Sequence, residues 1–113
     1  MGACTFGVLK VGRYKNASEA YNDAVEEATW EDGHDGYNGT ISTTHGFRTV
    51  RTNHRFNNKS FDKWEEEMLE NLDKRDCVCY ELTNTALKTA KERRGYKGKR
   101  NIKAFYFFGW AAE

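Results

Sequence analysis

The sequence predicts an α+β fold, with a single small mixed or antiparallel sheet and two to three helices on one face. Strand-like and helix-like segments follow one another in the order β-α-β-β-α-β-α-β. The last segment, residues 102–110, is apolar on both sides, as expected of a strand inside a sheet. The chain contains 7 Phe, 6 Tyr and 3 Trp among its 113 residues, which predicts an aromatic core. No low-complexity linker divides the chain, so we expect one domain over residues 1–113.

The first strand and the first helix are predicted within residues 4–32. Residues 4–11 are short, apolar and punctuated by glycine, which is typical of a strand. Asn16 can cap a helix, and Glu19 stands where it would close a capping box. Gly33 can end that helix in a left-handed conformation. An alanine-rich apolar stripe recurs at helical spacing between them, at Ala17, Ala20, Tyr21, Ala24, Val25 and Ala28.

A hairpin is predicted after this helix. Residues 33–39 hold three glycines, and the Asn38-Gly39 pair favours the positive φ values of a type I′ turn. Residues 40–44 are β-prone and rich in hydroxyl groups, and residues 47–52 continue as a second strand after Gly46.

The second half of the chain alternates helix and strand. Ser60 can cap a helix whose apolar stripe ends at Leu72. Residues 77–82 alternate as a strand, residues 84–94 are helix-forming, and residues 102–110 form the last strand.

Charge is balanced in sum but segregated along the chain. The formal net charge is +1, yet residues 17–35 contain seven acids and neither Lys nor Arg. Residues 45–59 and 88–103 are strongly basic. Such segregation predicts separate acidic and basic surfaces on a nearly neutral protein.

The 33–45 hairpin is a candidate binding site for a ligand or a partner. Glycines let a ligand approach the backbone, and hydroxyl groups suit a phosphate. The segment contains neither a P-loop nor a dinucleotide fingerprint, and a helix end followed by a turn is the alternative interpretation. The candidate residues are His34, Asp35, Tyr37, Asn38, Thr40, Ser42, Thr44 and His45.

The two basic segments are candidates for contact with nucleic acid or with an acidic partner. Cations bind phosphates, and neighbouring aromatic rings can stack on bases. A solvated helix face with a basic loop is the alternative. The candidate residues are Arg48, Arg51, Arg55, Lys91, Arg93, Arg94, Lys97, Lys99 and Arg100.

Catalytic and metal sites are less well supported. His34 or His45 could act in acid–base catalysis, but no nucleophile motif accompanies them, so no catalytic residue is assigned. Cys77 and Cys79 are closer together than the usual zinc-ligand pairs. We therefore predict no metal and no cofactor, and we expect the three cysteines to be reduced thiols.

Residues 2–44 carry a resemblance to a known family. The matching features are Gly2-Ala3, Phe6, the alanine-rich stripe, Gly33 and the string Tyr37-x-Gly39-Thr40-Ile41. Together they resemble a family of small uncharacterised proteins encoded by bacteriophages, prophages and other mobile elements. The resemblance implies a phage accessory protein without an established activity, and it provides no catalytic residues to carry over.

These observations favour a non-enzymatic accessory protein that binds and inhibits a host defence factor, such as an anti-CRISPR-like inhibitor. We expect its partner to be a host protein or ribonucleoprotein complex in the bacterial cytoplasm, because the chain shows no membrane-length apolar stretch and no secretion leader. Either the basic segments meet an anionic surface, or the acidic helix occupies a basic nucleic-acid groove. The alternatives are a nucleotide or nucleic-acid-binding module that uses the 33–45 hairpin with residues 88–103, and a small enzyme that uses His34 or His45.

Overall fold

The computed structural model describes residues 2–33, 36 and 38–113. In this described part of the chain, four strands and three α-helices alternate, with a short 3-10 helix at Ile41–Thr43. The strands are β1 (Ala3–Gly12), β2 (Arg48–Val50), β3 (Cys77–Leu82) and β4 (Lys103–Ala112). The helices are α1 (Ala17–Asp32), α2 (Lys59–Glu70) and α3 (Asn84–Arg93). None of these helices is long and apolar enough to cross a membrane.

The strands form one mixed sheet in the order β1-β4-β3-β2. The interior strand β4 pairs antiparallel with β1 along its whole length and with β3 from Ala104 to Gly109. The short strand β2 pairs parallel with β3. The predicted α+β class with a single mixed sheet is confirmed, and so is the interior position of β4.

Helices cover both faces of the sheet. Ala20 and Ala24 of α1 pack with Phe105 and Phe107 on one face. On the opposite face, α2 packs with Phe108 and α3 packs with Leu82 and Ala104. The expectation of two to three helices on one face therefore holds for α2 and α3, whereas α1 covers the other face. A strand that is apolar on both sides requires this cover, because either face left open would expose Phe side chains to water.

The ends of α1 follow their sequence signals closely. The side-chain oxygen of Asn16 accepts a hydrogen bond from the backbone N–H of Glu19 at 3.0 Å. Gly33 ends the helix at a φ of 88°, which favours glycine. Between them, Ala20 and Ala24 are almost fully buried, since their small side chains let the helix approach the sheet closely.

Three local predictions are wrong. The Asn38-Gly39 pair does not form a type I′ turn, because of the two only Gly39 has a positive φ, at 76°. Residues 40–44 do not form a hairpin strand; they contain the 3-10 helix at Ile41–Thr43. The hydroxyl groups of Thr43 and Thr44 donate to the carbonyls of Thr40 and Ile41, a local pattern that competes with strand pairing. Helix α2 begins before Ser60, because Asn58 caps it by accepting from the backbone N–H of Ser60 at 3.1 Å.

Candidate binding surfaces

The polar side chains of the predicted hairpin bind one another. The side-chain oxygen of Asn38 accepts hydrogen bonds from the backbone N–H of Thr40 at 3.1 Å and from its hydroxyl at 2.7 Å. The hydroxyls of Thr40 and Ser42 lie 2.8 Å apart, and the amide of Asn38 donates to Ser42 at 3.1 Å. These groups hold the turn in shape, so the structure favours a structural role for Asn38, Thr40 and Ser42.

The same segment is tied to the rest of the fold. The hydroxyl of Thr43 accepts from the backbone N–H of Ala112 at 2.9 Å, and the carbonyl of Thr43 accepts from the Arg75 guanidinium at 2.9 Å. The hydroxyls of Thr44 and Tyr21 lie 2.5 Å apart. Residues 38–44 therefore anchor the end of β4 to α1, which the sequence pattern did not indicate.

Of the two candidate catalytic histidines, only His45 lies in the described part of the chain. His34, Asp35 and Tyr37 lie outside the described residues. His45 is exposed, and its backbone N–H donates to the carbonyl of Arg75 at 3.2 Å. Within the described part of the chain, no other titratable side chain forms a hydrogen bond with His45.

The cysteines are buried or half-buried thiols. Burial raises the pKa of Cys4 and Cys77, and it raises the pKa of Cys79 to about 12. A thiol with so high a pKa carries little thiolate near neutrality and is a weak nucleophile. Among the described residues, no three His, Cys, Asp or Glu side chains are arranged to hold a metal ion.

The fold brings parts of both basic segments together at one groove. Arg55, from the loop before α2, faces Arg93 and Arg94 at the end of α3 across a hollow of about 310 Å³. We call this hollow the arginine groove; its wall and floor also include Leu9, Phe56, Asn57, Ala86, Thr89 and Ala90. None of the described residues that line it is acidic.

The other predicted basic residues are dispersed. Arg48 lies on β2 at the edge of the sheet, and Arg51 is exposed just after it. Lys91 donates to the carbonyl of Lys99 at 2.8 Å, which closes the loop after α3. Lys97 borders a separate hollow beside α3. Lys99 and Arg100 are exposed in the loop before β4.

Residues 38–45 lie at one end of β4, and the loop of residues 94–102 lies at the other. The backbone N–H of Gly39 donates to the carbonyl of Ala112, the last residue of that strand, whereas residues 88–102 precede its first residue. The strand has 10 residues, which corresponds to roughly 30 Å. One small ligand would therefore not contact both segments.

Helix α1 presents an acidic surface. Lys10 of β1 pairs with Asp23 at 3.1 Å and with Glu27 at 2.6 Å. Burial opposes the charge on Lys10, but the hydrogen bonds to Glu27 and Asp23 outweigh it and raise the pKa of Lys10. The remaining acids of the helix are exposed to solvent. We call them, with Trp30, the acidic surface: Glu19, Glu26, Glu31, Asp32 and Trp30.

Trp30 is a candidate binding residue that the sequence analysis did not identify. Its side chain is 89% exposed, and it is the one exposed large hydrophobic residue among those described. A signal was present in the sequence, because Trp30 lies about 200° around the helix from Ala28 and thus outside the alanine stripe. An exposed aromatic ring on the polar side of a helix is a candidate anchor for a protein interface.

The fold and these surfaces define a small α+β protein with an acidic surface on α1 and an arginine-lined groove on the opposite side of the sheet. Comparison with known protein families, curated proteins and solved structures finds no match to this chain.

Proposed function

We propose that this chain is a non-enzymatic accessory protein of a bacteriophage or other mobile element that binds and inhibits a host defence factor. We expect the partner to be a host defence protein or ribonucleoprotein in the bacterial cytoplasm, such as a complex that anti-CRISPR proteins inhibit. The observation that carries the proposal is the exposure of Trp30, which is 89% accessible at the end of an acidic helix.

Trp30 is an exposed aromatic side chain that a partner could bury. A solvated indole raises the free energy of the isolated protein, and burying it against a partner recovers that energy. Tryptophan is also among the commonest energetic anchors of protein interfaces. Around Trp30, the acids Glu26, Glu31 and Asp32 have no basic residue of α1 beside them.

The acidic surface therefore fits a positively charged partner. A groove that normally holds nucleic acid is basic, and a helix that presents carboxylates along one side can take the place of the phosphates. Electrostatic attraction would speed the encounter, and Trp30 would slow dissociation.

The proposal is tested by phage protection. The chain is expressed in bacterial strains that each carry one nucleic-acid-binding defence system, and the plating efficiency of a restricted phage is measured. We expect the wild-type chain to restore plating in at least one strain, and Trp30→Ala to remove that effect. In a binding assay with the purified defence complex, Trp30→Ala should cost roughly 2 kcal/mol or more, about thirtyfold in affinity.

A charge-reversed pair supplies the matched control. Glu26→Lys with Glu31→Lys should abolish protection, whereas Glu66→Lys with Glu70→Lys, on α2, should leave it intact. Each pair raises the formal net charge from +1 by four units. A difference between the two pairs therefore reflects the position of the charges and not the net charge. If phage plating is restored in no strain, or if both charge-reversed pairs have the same effect on plating, the proposal is wrong.

A further inference from the structure

The arginine groove, on the side of the sheet opposite α1, has the dimensions of a ligand site. It lies between α3 and the loop before α2, and Leu9 of β1 forms part of its floor. Its volume of about 310 Å³ is at the lower end of the range for small-molecule sites. It is independent of the acidic surface, because α1 packs on the other face.

One wall of the groove is a rigid aromatic side chain. Phe56 contacts Phe61 and Tyr106 edge-to-face, each with ring centroids 5.2 Å apart, and stacks with Tyr80 at an interplanar angle of 13°. These rings hold Phe56 in place while its remaining surface borders the groove. Together with Leu9 and Ala86, it offers a fixed apolar surface to a flat ring.

The rim of the groove carries three arginine side chains. The side chains of Arg55 and Arg93 make no hydrogen bond or ion pair within the described residues. Arg94 donates to the carbonyl of Leu9 at 3.4 Å, a long hydrogen bond at the edge of β1. A guanidinium group can donate two parallel hydrogen bonds to the oxygens of one phosphate. A bound anion would also reduce the electrostatic repulsion among the three arginines.

We infer that the arginine groove binds a nucleotide unit, presented either as a free mononucleotide or within a single strand of nucleic acid. The phosphate would lie between Arg55 and Arg93, and the base would lie against Phe56. The hydroxyl of Thr89 offers a further hydrogen bond at the rim. An acidic peptide would satisfy the arginines but would leave the apolar wall without a partner, so the aromatic surface favours a nucleotide.

The test uses the whole chain and a labelled probe. Binding of a fluorescent single-stranded oligouridylate of about six nucleotides is followed by anisotropy, with uridine monophosphate as competitor. Arg55→Ala with Arg93→Ala should weaken binding roughly tenfold or more. The dependence of log affinity on log salt should become less steep by about 0.7, because the contact with one phosphate is lost.

The matched control removes the same charge elsewhere. Arg48→Ala with Arg51→Ala lowers the formal net charge by the same two units but leaves the groove intact, so we expect little change in affinity. All four arginines are exposed or at the rim, and circular dichroism verifies that each variant folds. Phe56→Leu keeps an apolar side chain in the cluster and should weaken binding by loss of stacking.

The outcomes separate the sources of the ligand. Competition by the mononucleotide would show that a free nucleotide suffices, and binding of the strand alone would assign the site to single-stranded nucleic acid. The inference is overturned if neither probe binds, if both arginine pairs weaken binding equally, or if oligoglutamate competes as well as the mononucleotide.

Discussion

At the scale of single residues, the backbone at Gly109 and at Arg75 determines how β3 and β4 pack at one end of the sheet. Gly109 of β4 pairs with Cys77, and a Cβ atom added there would meet the carbonyl oxygen of Asp76 well inside van der Waals contact. That carbonyl accepts a hydrogen bond from the backbone N–H of Trp110 at 3.1 Å. The two backbone segments therefore cannot move apart without losing this hydrogen bond. Arg75, just before Asp76, adopts a φ of 73°, which an arginine rarely adopts.

Gly109→Ala is therefore expected to lower the free energy of unfolding by about 2–4 kcal/mol, because the new methyl group clashes with backbone rather than with a movable side chain. Urea denaturation followed by far-UV circular dichroism measures the change. Gly36→Ala is the control, since its added Cβ would find its nearest atom, in Arg75, at an ordinary 3.9 Å. Equal midpoints for the two variants would contradict this account of the sheet end.

At the scale of elements, a small polar cluster joins α1 to the strand and loop beneath it. Tyr14 donates to Asp23 at 2.5 Å, and Lys10 of β1 bridges Asp23 and Glu27. The hydrogen bond from Tyr14, with a further contribution from Lys10, lowers the pKa of Asp23 below its ordinary value of 3.8. The folded state thus binds the Asp23 proton less tightly than the unfolded state does.

The sign of the pH dependence follows from that lowered pKa. The stabilisation by Asp23 is present above pH 3.8 and is lost as the pH falls through the lower folded-state pKa. Asp23→Asn should therefore lower stability by about 1 kcal/mol near neutrality and have little effect in strong acid. The expected loss is small because the Asp23 side chain is 46% exposed and its charge is partly screened by solvent.

Thermal unfolding of both proteins across the acid range measures this difference. Glu26→Gln, on an exposed acid of the same helix, is the control and should change stability little at any pH. A constant difference between wild type and Asp23→Asn at every pH would show that the carboxylate charge does not stabilise the helix.

At the scale of the whole molecule, the sheet separates two surfaces of opposite charge. Trp30 and its acidic neighbours lie on α1, which covers one face, and the arginine groove is built on the other. Opposite charges held apart by a rigid sheet cannot neutralise one another, so each surface remains available to its own partner.

The two surfaces should consequently act independently. Combining Trp30→Ala with the Arg55→Ala and Arg93→Ala pair should give additive changes in unfolding free energy, within about 0.5 kcal/mol. Trp30→Ala should leave oligonucleotide affinity unchanged, and the arginine pair should leave phage protection unchanged. Oligonucleotide affinity and phage protection are measured on the wild type, on Trp30→Ala, on the arginine pair and on the combined variant. A loss of phage protection in the arginine pair would indicate that the two surfaces form one shared interface.

The sequence predicted the fold well where local signals were strong. The cap at Asn16, the alanine stripe and the end at Gly33 placed α1 correctly, and the two apolar sides of residues 102–110 placed β4 inside the sheet. The prediction failed at residues 40–44, because threonine suits strands by shape but also bonds its own backbone in turns. It also missed Phe56, a loop residue that only its contacts identify as part of the core.

What the sequence determined by itself is the α+β class, the central strand and the segregation of charge, since each depends on periodicity or composition along a continuous stretch. Only the tertiary structure decided that helices cover both faces and that Arg55 meets Arg93 and Arg94 at one groove. The physical reason is separation along the chain: residues so far apart meet only when β1, α3 and the loop before α2 pack over the same part of the sheet.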